Sequence, residues 1–576
     1  MLKIKKIFIL IIFSISINII YSSNCQIVSN NLILDSNINQ NGSCFIINKS
    51  NLIFDCNNFQ ISGNGSGYGI EINNNKNITI KNCNITNFFN QISISNFSEN
   101  INIINNSFYV NIGLYGVALI NIEDTNNTNI LNNIFISEDT RTYNLYTNNC
   151  NNFNISNNLL KAISIHSAGI YLKNSNNFQI KNNQIYLYSN SGDDTHGIDL
   201  IYSQNFKLIN NSIHTNNRFP IDIDPGSNLE NYNHNIDSSN MGNNKPIIYL
   251  NNYTNLIIEN YTESIGQLFI VNSNNLTIRN IIKNNSDGIL LKDVDNSRIY
   301  NLKIINSTSI GLRLENSNDN ILKNISIVPS INYNTGISIV ATNNYLENLY
   351  VNATGNTYPF YLTSGGNNIV NNSKFFGTKY GGYIGYTNNN KIYNSIFYSS
   401  EGIDLHSSDW TTHINYIINC TYDKNEFYFN GEGNNLFNFS QYVDIKIIDT
   451  SLNPIENVSI NITNKFGIRI HSNLITNNKG KINRLILTEY LQDRTMDYST
   501  GNVTFYGPYN ITLTKNGIVQ NFNLNLENSD SFSFDFTKYS NSLIPLTNKT
   551  KNNIFPLENF KSKIISLIIV LIFFFL

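Results

Sequence analysis

The stretch Asn77-Ile-Thr-Ile-Lys-Asn82 sets a pattern that recurs through most of the chain. It returns as Asn100-Ile-Asn-Ile-Ile-Asn105, Asn152-Phe-Asn-Ile-Ser-Asn157, Asn177-Phe-Gln-Ile-Lys-Asn182 and Asn205-Phe-Lys-Leu-Ile-Asn210. The series resumes at Asn275-Leu-Thr-Ile-Arg-Asn280 and continues through Ile299-Tyr-Asn301, Leu322-Lys-Asn324, Leu346-Glu-Asn348, Ile369-Val-Asn371 and Ile392-Tyr-Asn394. Aligned asparagines stand 23 (82 to 105), 25 (157 to 182) and 28 (182 to 210) residues apart, then 21, 23, 24, 23 and 23 from Asn280 to Asn394. A second short apolar strand opens between them at Gly69, Gly116, Gly169, Gly197, Gly288, Gly311, Gly336 and Gly402. Each repeat holds strands of three to five residues with alternating apolar positions, separated by Asn/Gly/Ser turns. Such strands cannot bury a face alone and must stack on their neighbours.

The fold class expected is therefore all-β: a right-handed parallel β-helix, a pectin-lyase-like solenoid, over residues 24–438. Isoleucine, valine and phenylalanine should pile into inner columns. The asparagine after each strand, Asn182 and Asn301 among them, is expected at an inward corner. Asn tolerates left-handed backbone angles, and its amide can bond the next amide along the stack. An exchange at a loop residue such as Asn389 should by contrast be silent.

Composition fits such a surface. Charged residues make up only 13% of 576, the net charge is −2, and asparagine supplies about a fifth of the chain. With 41% apolar residues and 34 each of Tyr and Phe, a core can form. No Lys/Arg stripe exists to answer a phosphate backbone, so nucleic acid is excluded as a partner.

The two ends read as addresses. Residues 1–23 carry Lys3, Lys5 and Lys6, then a run from Ile7 to Ile20 almost without polar interruption, then Tyr21-Ser22-Ser23. That order reads as a secretory signal peptide, with the mature chain beginning near Asn24. Residues 537–563 read as a polar linker. Residues 564–576 are apolar apart from Ser566 and read as a membrane anchor or sorting segment, the chain's sole expected membrane contact. The localisation expected is extracellular, at the cell surface. More than twenty Asn-x-Ser/Thr sequons accord with an exported glycoprotein. Cys25, Cys44, Cys56 and Cys83 cluster near the mature N-terminus, which favours disulfides; Cys25 with Cys44 is the expected bridge and Cys56 with Cys83 the next. Cys150 and Cys420 read as buried small apolar residues.

The interruption after Asn210 carries a family likeness. Arg218-Phe-Pro-Ile-Asp-Ile-Asp-Pro-Gly226, Tyr232-Asn-His-Asn-Ile-Asp237 and Asn244-Lys-Pro-Ile-Ile-Tyr-Leu250 resemble the NosD-like β-helix family, also called the carbohydrate-binding and sugar-hydrolase group. Gly266-Gln-Leu-Phe-Ile-Val-Asn272 and Asp287-Gly-Ile-Leu-Leu291 extend the likeness, and Cys44 to Gly63 resembles the cap of exported β-helix proteins. The resemblance implies the fold strongly and the chemistry weakly. Some members carry a copper-binding label, but here seven histidines are scattered and only three methionines occur. Residues 439–536 follow as longer alternating strands and look like an Ig-like or carboxypeptidase-regulatory-like β-sandwich.

One dense group of ionisable residues stands on the repeat: Asp193-Asp194-Thr-His196-Gly-Ile-Asp199, joined one turn later by Asp222 and Asp224. Gly197-Ile-Asp199-Leu and Pro220-Ile-Asp222-Ile share a repeat position, so Asp199 and Asp222 should stand ~4.8 Å apart on the outer face. Two carboxylates at that distance repel. Either one holds a proton, or a cation such as Ca²⁺ bridges them with Asp194 or Asp224 completing the shell. Equivalent positions are read as Ala118, Tyr171, Leu290 and Ser338. Glu401, Asp404 and His406 form a thinner second group, and Trp410 could stack on a sugar. Two functions follow from these readings. One is a surface glycoprotein, an adhesin or envelope component, that binds a polysaccharide or surface glycan with no cofactor beyond that calcium. The alternative is a polysaccharide hydrolase or lyase that works through the aspartates.

Overall fold

The computed structural model describes residues 19–544 apart from 114–115, 140–141, 164–167, 189–195, 217–218, 263–264, 286–287, 308–309, 330–334, 354, 409–412, 431–435, 494–501, 527–529 and 537–542. It is a parallel β-helix followed by a two-sheet module, and it divides into two compact units: residues 1–251 with 264–272, and residues 252–263 with 273–576. Residues 1–18 of the expected signal peptide, the expected C-terminal anchor, most of the expected linker, Asp193, Asp194, Arg218 and Trp410 lie outside the described residues.

In the first unit each turn contributes one strand to each of three sheets of ten, nine and ten strands among the described residues. Strict alternation sends every second side chain inward, and parallel register puts equivalent residues one above another. One inner column runs Leu32, Phe54, Ile80, Ile103, Ile130, Ile155, Ile180, Leu208, Ile236. Each is buried, and full burial of such a side chain contributes about 1.5–3 kcal/mol. Beside it Phe153, Phe178 and Phe206 stack at 4.5 and 5.0 Å. The strand Ile19–Ser22, which a cleavage site at Ser23 would remove, pairs with Asn31–Leu34 and leaves Ile20 and Tyr21 exposed. Cys25 is bridged to Cys44 and Cys56 to Cys83, while Cys150 is buried and its thiol is pushed up to about 12 by burial.

Asn105, Asn132, Asn157, Asn182 and Asn210, each directly after a first-sheet strand, take left-handed angles, φ +56° at Asn182, and lie exposed at the corner. This corrects the expectation that Asn182 points inward. The left-handed residue breaks the alternation, so the next residue turns in. Asn106, Asn133, Asn158, Asn183, Asn211 and Asn240 form the buried column. Each Oδ1 accepts the backbone N–H of the residue one turn before; Asn133 to Asn240 also accept its Nδ2, at 2.8–3.1 Å. Each Nδ2 also donates to a strand carbonyl, Ile155 O in the case of Asn183. Asn182 carries only a surface amide bond, from Asn210 at 2.9 Å.

In the second unit two strands of a turn merge across a left-handed asparagine in four successive turns, as at Asn301 within Arg298–Ser307, and separate again from Ile369–Asn371 and Lys374–Gly377 onward. Asn301 is likewise exposed, bonded to Asn280 at 3.2 Å. The buried amide column here runs Asn320, Asn344, Asn368, Asn390, Asn415. At the end of the solenoid the strand Leu436–Ile448 crosses the expected boundary at 438/439 without a break. Leu436–Ser440 pairs in parallel with Ile414–Ile418, and Leu436–Val443 pairs antiparallel with Leu485–Asp493. A second, four-stranded antiparallel sheet packs on it around Val443, Ile445, Ile460, Tyr509 and Phe522.

Removing the Asn183 side chain strands the Asn158 donors and Ile155 O, at about 1–3 kcal/mol per buried group. Asn183→Ala should therefore lower the urea unfolding midpoint clearly. Asn182→Gly and Asn389→Gly, which keep the left-handed angle and lose one exposed bond each, should shift it little; equal effects at all three positions would contradict the buried column.

Candidate functional site

The outer face of the nine-stranded sheet is built by the same alternation. Within Tyr143–Asn148, Ala168–Lys173, His196–Ile201 and Ile221–Asp224, the residues flanked by inward Leu/Thr, Ile/Leu, Ile/Leu and Ile/Ile point outward. Register aligns them as Asn121, Tyr146, Tyr171, Asp199, Asp222. Asn121, not Ala118, is thus the equivalent of Asp199. Ala118 belongs to the neighbouring column with Tyr143, Ala168 and His196, because the in/out alternation breaks near the start of each strand. Gly197 fills the inward position at that break, where a Cβ would sit 2.2 Å from Ile213 Cγ2 and 2.6 Å from Pro220 O.

The Tyr146 and Tyr171 rings stack at 5.4 Å and 9°, and Tyr143 leans on both at 5.7 and 4.8 Å. Burial pushes the Tyr171 hydroxyl well up, and the Asp199 charge adds to it. Burial likewise raises Tyr146, with Glu123 adding to it. Both phenols therefore stay protonated and can donate at neutral pH. Beyond Tyr171, His196 stands between the two carboxylates, Nδ1 3.5 Å from Asp199 Oδ2 and Nε2 3.5 Å from Asp222 Oδ2. His196 and Asp222 are each 8% exposed, so this ring is held and not merely adjacent. Asp222 Oδ1 accepts the Ile223 N–H at 2.8 Å.

Asp224 does not join this group. It aligns with Ile201, and its Oδ1 accepts the Gly226 N–H at 2.9 Å, closing a turn. Among the described residues no three His, Cys, Asp or Glu side chains converge to hold a metal ion. The tyrosines were not read as part of the site from the sequence. Tyr143-Asn-Leu-Tyr146 lacks the glycine that marked the other strands, Asn144 occupying that place, and the spacing to Tyr171 was the available signal.

Glu401, Asp404 and His406 are not brought together. Glu401 is exposed. Asp404 is buried and accepts the Ser399 and Asp423 N–H groups, both at 2.6 Å, while His406 turns to the outer face with Nδ1 2.5 Å from Tyr358 Oη.

No known protein-family pattern matches the chain, and no curated protein sequence matches it. Among solved structures it is similar to a DFA-IIIase from Arthrobacter chlorophenolicus A6 without its lid, at 11% identity and TM-score 0.27, over 54% of this chain and 66% of that one. It is also similar to the tailspike receptor-binding domain of siphovirus 9NA (10%, TM-score 0.22, 86% and 94%) and to PfbA, a surface adhesin of Streptococcus pneumoniae (13%, TM-score 0.19, 78% and 92%). Likeness at this level says nothing of activity.

Two titrations are legible in the second unit. Burial, with Glu426 beside it, holds the Asp404 carboxyl up at about 7 against the pull of its two backbone donors. The folded state therefore keeps a proton that an unfolded aspartate gives up near pH ~4, so this stability is complete at low pH and is lost as pH rises through about 7. Burial holds His406 down at about 4, and its contribution has the opposite sign, present above pH ~6.5 and lost as pH falls through about 4. Because the two oppose each other, the test is a comparison: between pH 5 and 8 the wild type should lose stability relative to Asp404→Asn. Parallel melting profiles would show that Asp404 does not titrate in this window. In the first unit, His196→Ala should leave Asp199 and Asp222 facing each other and lower the melting temperature. Adding Asp222→Asn should restore part of the loss, with a coupling of about 0.5–3 kcal/mol in a double-mutant cycle.

Proposed function

We propose that this chain is an exported, surface-anchored glycoprotein that binds polysaccharide along the outer face bearing Tyr146, Tyr171, Asp199 and Asp222. The observation that carries the reading is the column itself: hydroxyl donors and carboxylate acceptors repeat once per turn, at the ~4.8 Å interval between strands. A polysaccharide lying along the stack offers hydroxyl groups at a comparable interval, one sugar ring per turn. Carboxylates accept from sugar hydroxyls in charge-assisted bonds, and tyrosines offer an apolar body with a polar tip. The remainder is near-neutral and asparagine-rich, and the charged ladder of Glu259, Arg279, Lys323 and Glu347 is internally paired. Export is supported by the basic and then apolar N-terminus and by two disulfides, which belong to oxidising compartments. Retention at the surface is assigned to residues 564–576, and kinship to the NosD-like group rests on the residues quoted for it. The C-terminal module is taken as an Ig-like spacer.

Hydrolysis is the second reading. It is favoured by one feature, an imidazole held between two carboxylates, which is a proton-transfer arrangement. The full chain should be screened on a glycan array and for depolymerisation, with and without Ca²⁺. Retention without product, weakened about tenfold or more in Asp199→Asn/Asp222→Asn, is the expected result. Oligosaccharide release by the wild type alone would select the hydrolase. Unchanged binding by the double variant would remove the aspartate face from the function.

A further inference from the structure

The second unit carries an outward column of its own. On the sheet containing Leu312–Glu315, Ile337–Val340, Phe360–Thr363, Tyr383–Gly385, Leu405–Ser408 and Phe427–Asn430, register aligns Arg313, Ser338, Tyr361, Tyr383, His406 and Tyr428. Tyr361 and Tyr383 stack at 4.5 Å and 11°, and Tyr358 and Tyr380 form a second stack beside them at 4.4 Å and 24°. Tyr358 joins the two, 5.4 Å from Tyr383 and hydrogen-bonded to His406 Nδ1. Tyr428 continues the raft 5.4 Å from His406.

Three features distinguish this face from an ordinary packed surface. First, it lies on the outer side of a solenoid sheet whose inner side already supplies the core through Leu314, Ile339, Leu362 and Leu405, so six aromatic rings here are not needed to fill an interior. Second, its column carries little charge at neutral pH, although the Lys379 ammonium lies 5.3 Å over the Tyr380 ring. Burial raises the Tyr358 and Tyr361 hydroxyls and lowers His406, and the one cation in the column, Arg313, is paired with Glu315 at 2.9 Å. The charged ladder of this unit (Glu259, Arg279, Lys323, Glu347) stands on a different sheet. Third, His406 Nε2 is buried with no hydrogen-bond partner among the described residues, in the middle of the tyrosines. Leaving such a group unpaired is costly.

We propose that this raft is a second glycan-binding face, taking an uncharged polysaccharide laid along the stack with one sugar residue per turn. Tyr358, Tyr361, Tyr380 and Tyr428 present half-buried rings along the stack, while Tyr383 is buried with its hydroxyl on Ser408; such a row of ring edges suits the alternating C–H and O–H periphery of a sugar ring. His406 marks the centre of the site, its ring packed among Tyr358, Tyr383 and Tyr428 and so positioning them. The absence of a facing carboxylate among the described residues of the column separates its ligand from that of the first unit. The inference stands apart from the aspartate site and does not need it.

The test is affinity electrophoresis of the full chain in gels containing one of three soluble uncharged polysaccharides: a β-linked glucan, an α-linked glucan or a galactomannan. Retardation is expected in at least one gel. Tyr358→Phe/Tyr361→Phe, which keeps both stacks and removes only hydroxyls, should weaken it about tenfold, and His406→Phe should do the same. Each comparison is made in the Asp199→Asn/Asp222→Asn background, so that the first unit's face cannot supply the retardation. Melting curves and circular dichroism matching the wild type establish that the phenylalanine variants are folded. No retardation in any gel, or equal retardation of the phenylalanine variants and their parent, would each overturn the proposal.

Discussion

A single repeated contact holds the register of this protein: the buried asparagine that accepts from one turn and donates to another. Alternating strands alone would allow one turn to slip along the next, since isoleucine packs nearly as well on any isoleucine. A carboxamide has no such freedom. In the first unit Oδ1 is met by a backbone N–H, and in all but the first rung by a side-chain NH₂ as well, while its own Nδ2 reaches a strand carbonyl. A shift by two residues would leave all of these unpaired away from water, at about 1–3 kcal/mol each. Because the same contact recurs at Asn106, Asn133, Asn158, Asn183, Asn211 and Asn240, the cost of a slip accumulates along the stack.

Everything on the outer faces inherits this register. Asp199 stands beside Asp222, and Tyr361 beside Tyr383, only because the inner columns are fixed. The chain can thus present polar and aromatic groups at a constant interval without folding a pocket. Its low charge is consistent with that: the exposed corners are satisfied by further asparagine pairs such as Asn77 with Asn100 and Asn324 with Asn348.

Much of the fold was legible because its signals are periodic. The spacing of Asn82, Asn105, Asn157 and Asn182 marked the turns, and the phase of Gly197-Ile-Asp199 against Pro220-Ile-Asp222 gave their register. The direction of the asparagines was misread by one residue, because a left-handed corner reverses the alternation and only a backbone angle reveals it: Asn182 faces out and Asn183 in. The role of His196 was not foreseen as a bridge, since its contacts run both along its strand and across to the next turn. The aromatic raft around Tyr358 was invisible for a similar reason. Tyr358, Tyr361, Tyr380 and Tyr383 alternate between two columns separated by a break in the in/out pattern, and a sequence window shows only scattered tyrosines.

The most direct measurement of the central contact is hydrogen exchange of asparagine side-chain NH₂ groups, followed by NMR in selectively labelled protein. A small set, the buried columns, should resist exchange as long as the solenoid stays folded, while corner amides such as those of Asn182 and Asn301 exchange at the rates of exposed carboxamides. Free exchange of every asparagine NH₂ group would contradict the buried amide column as the element that fixes the register.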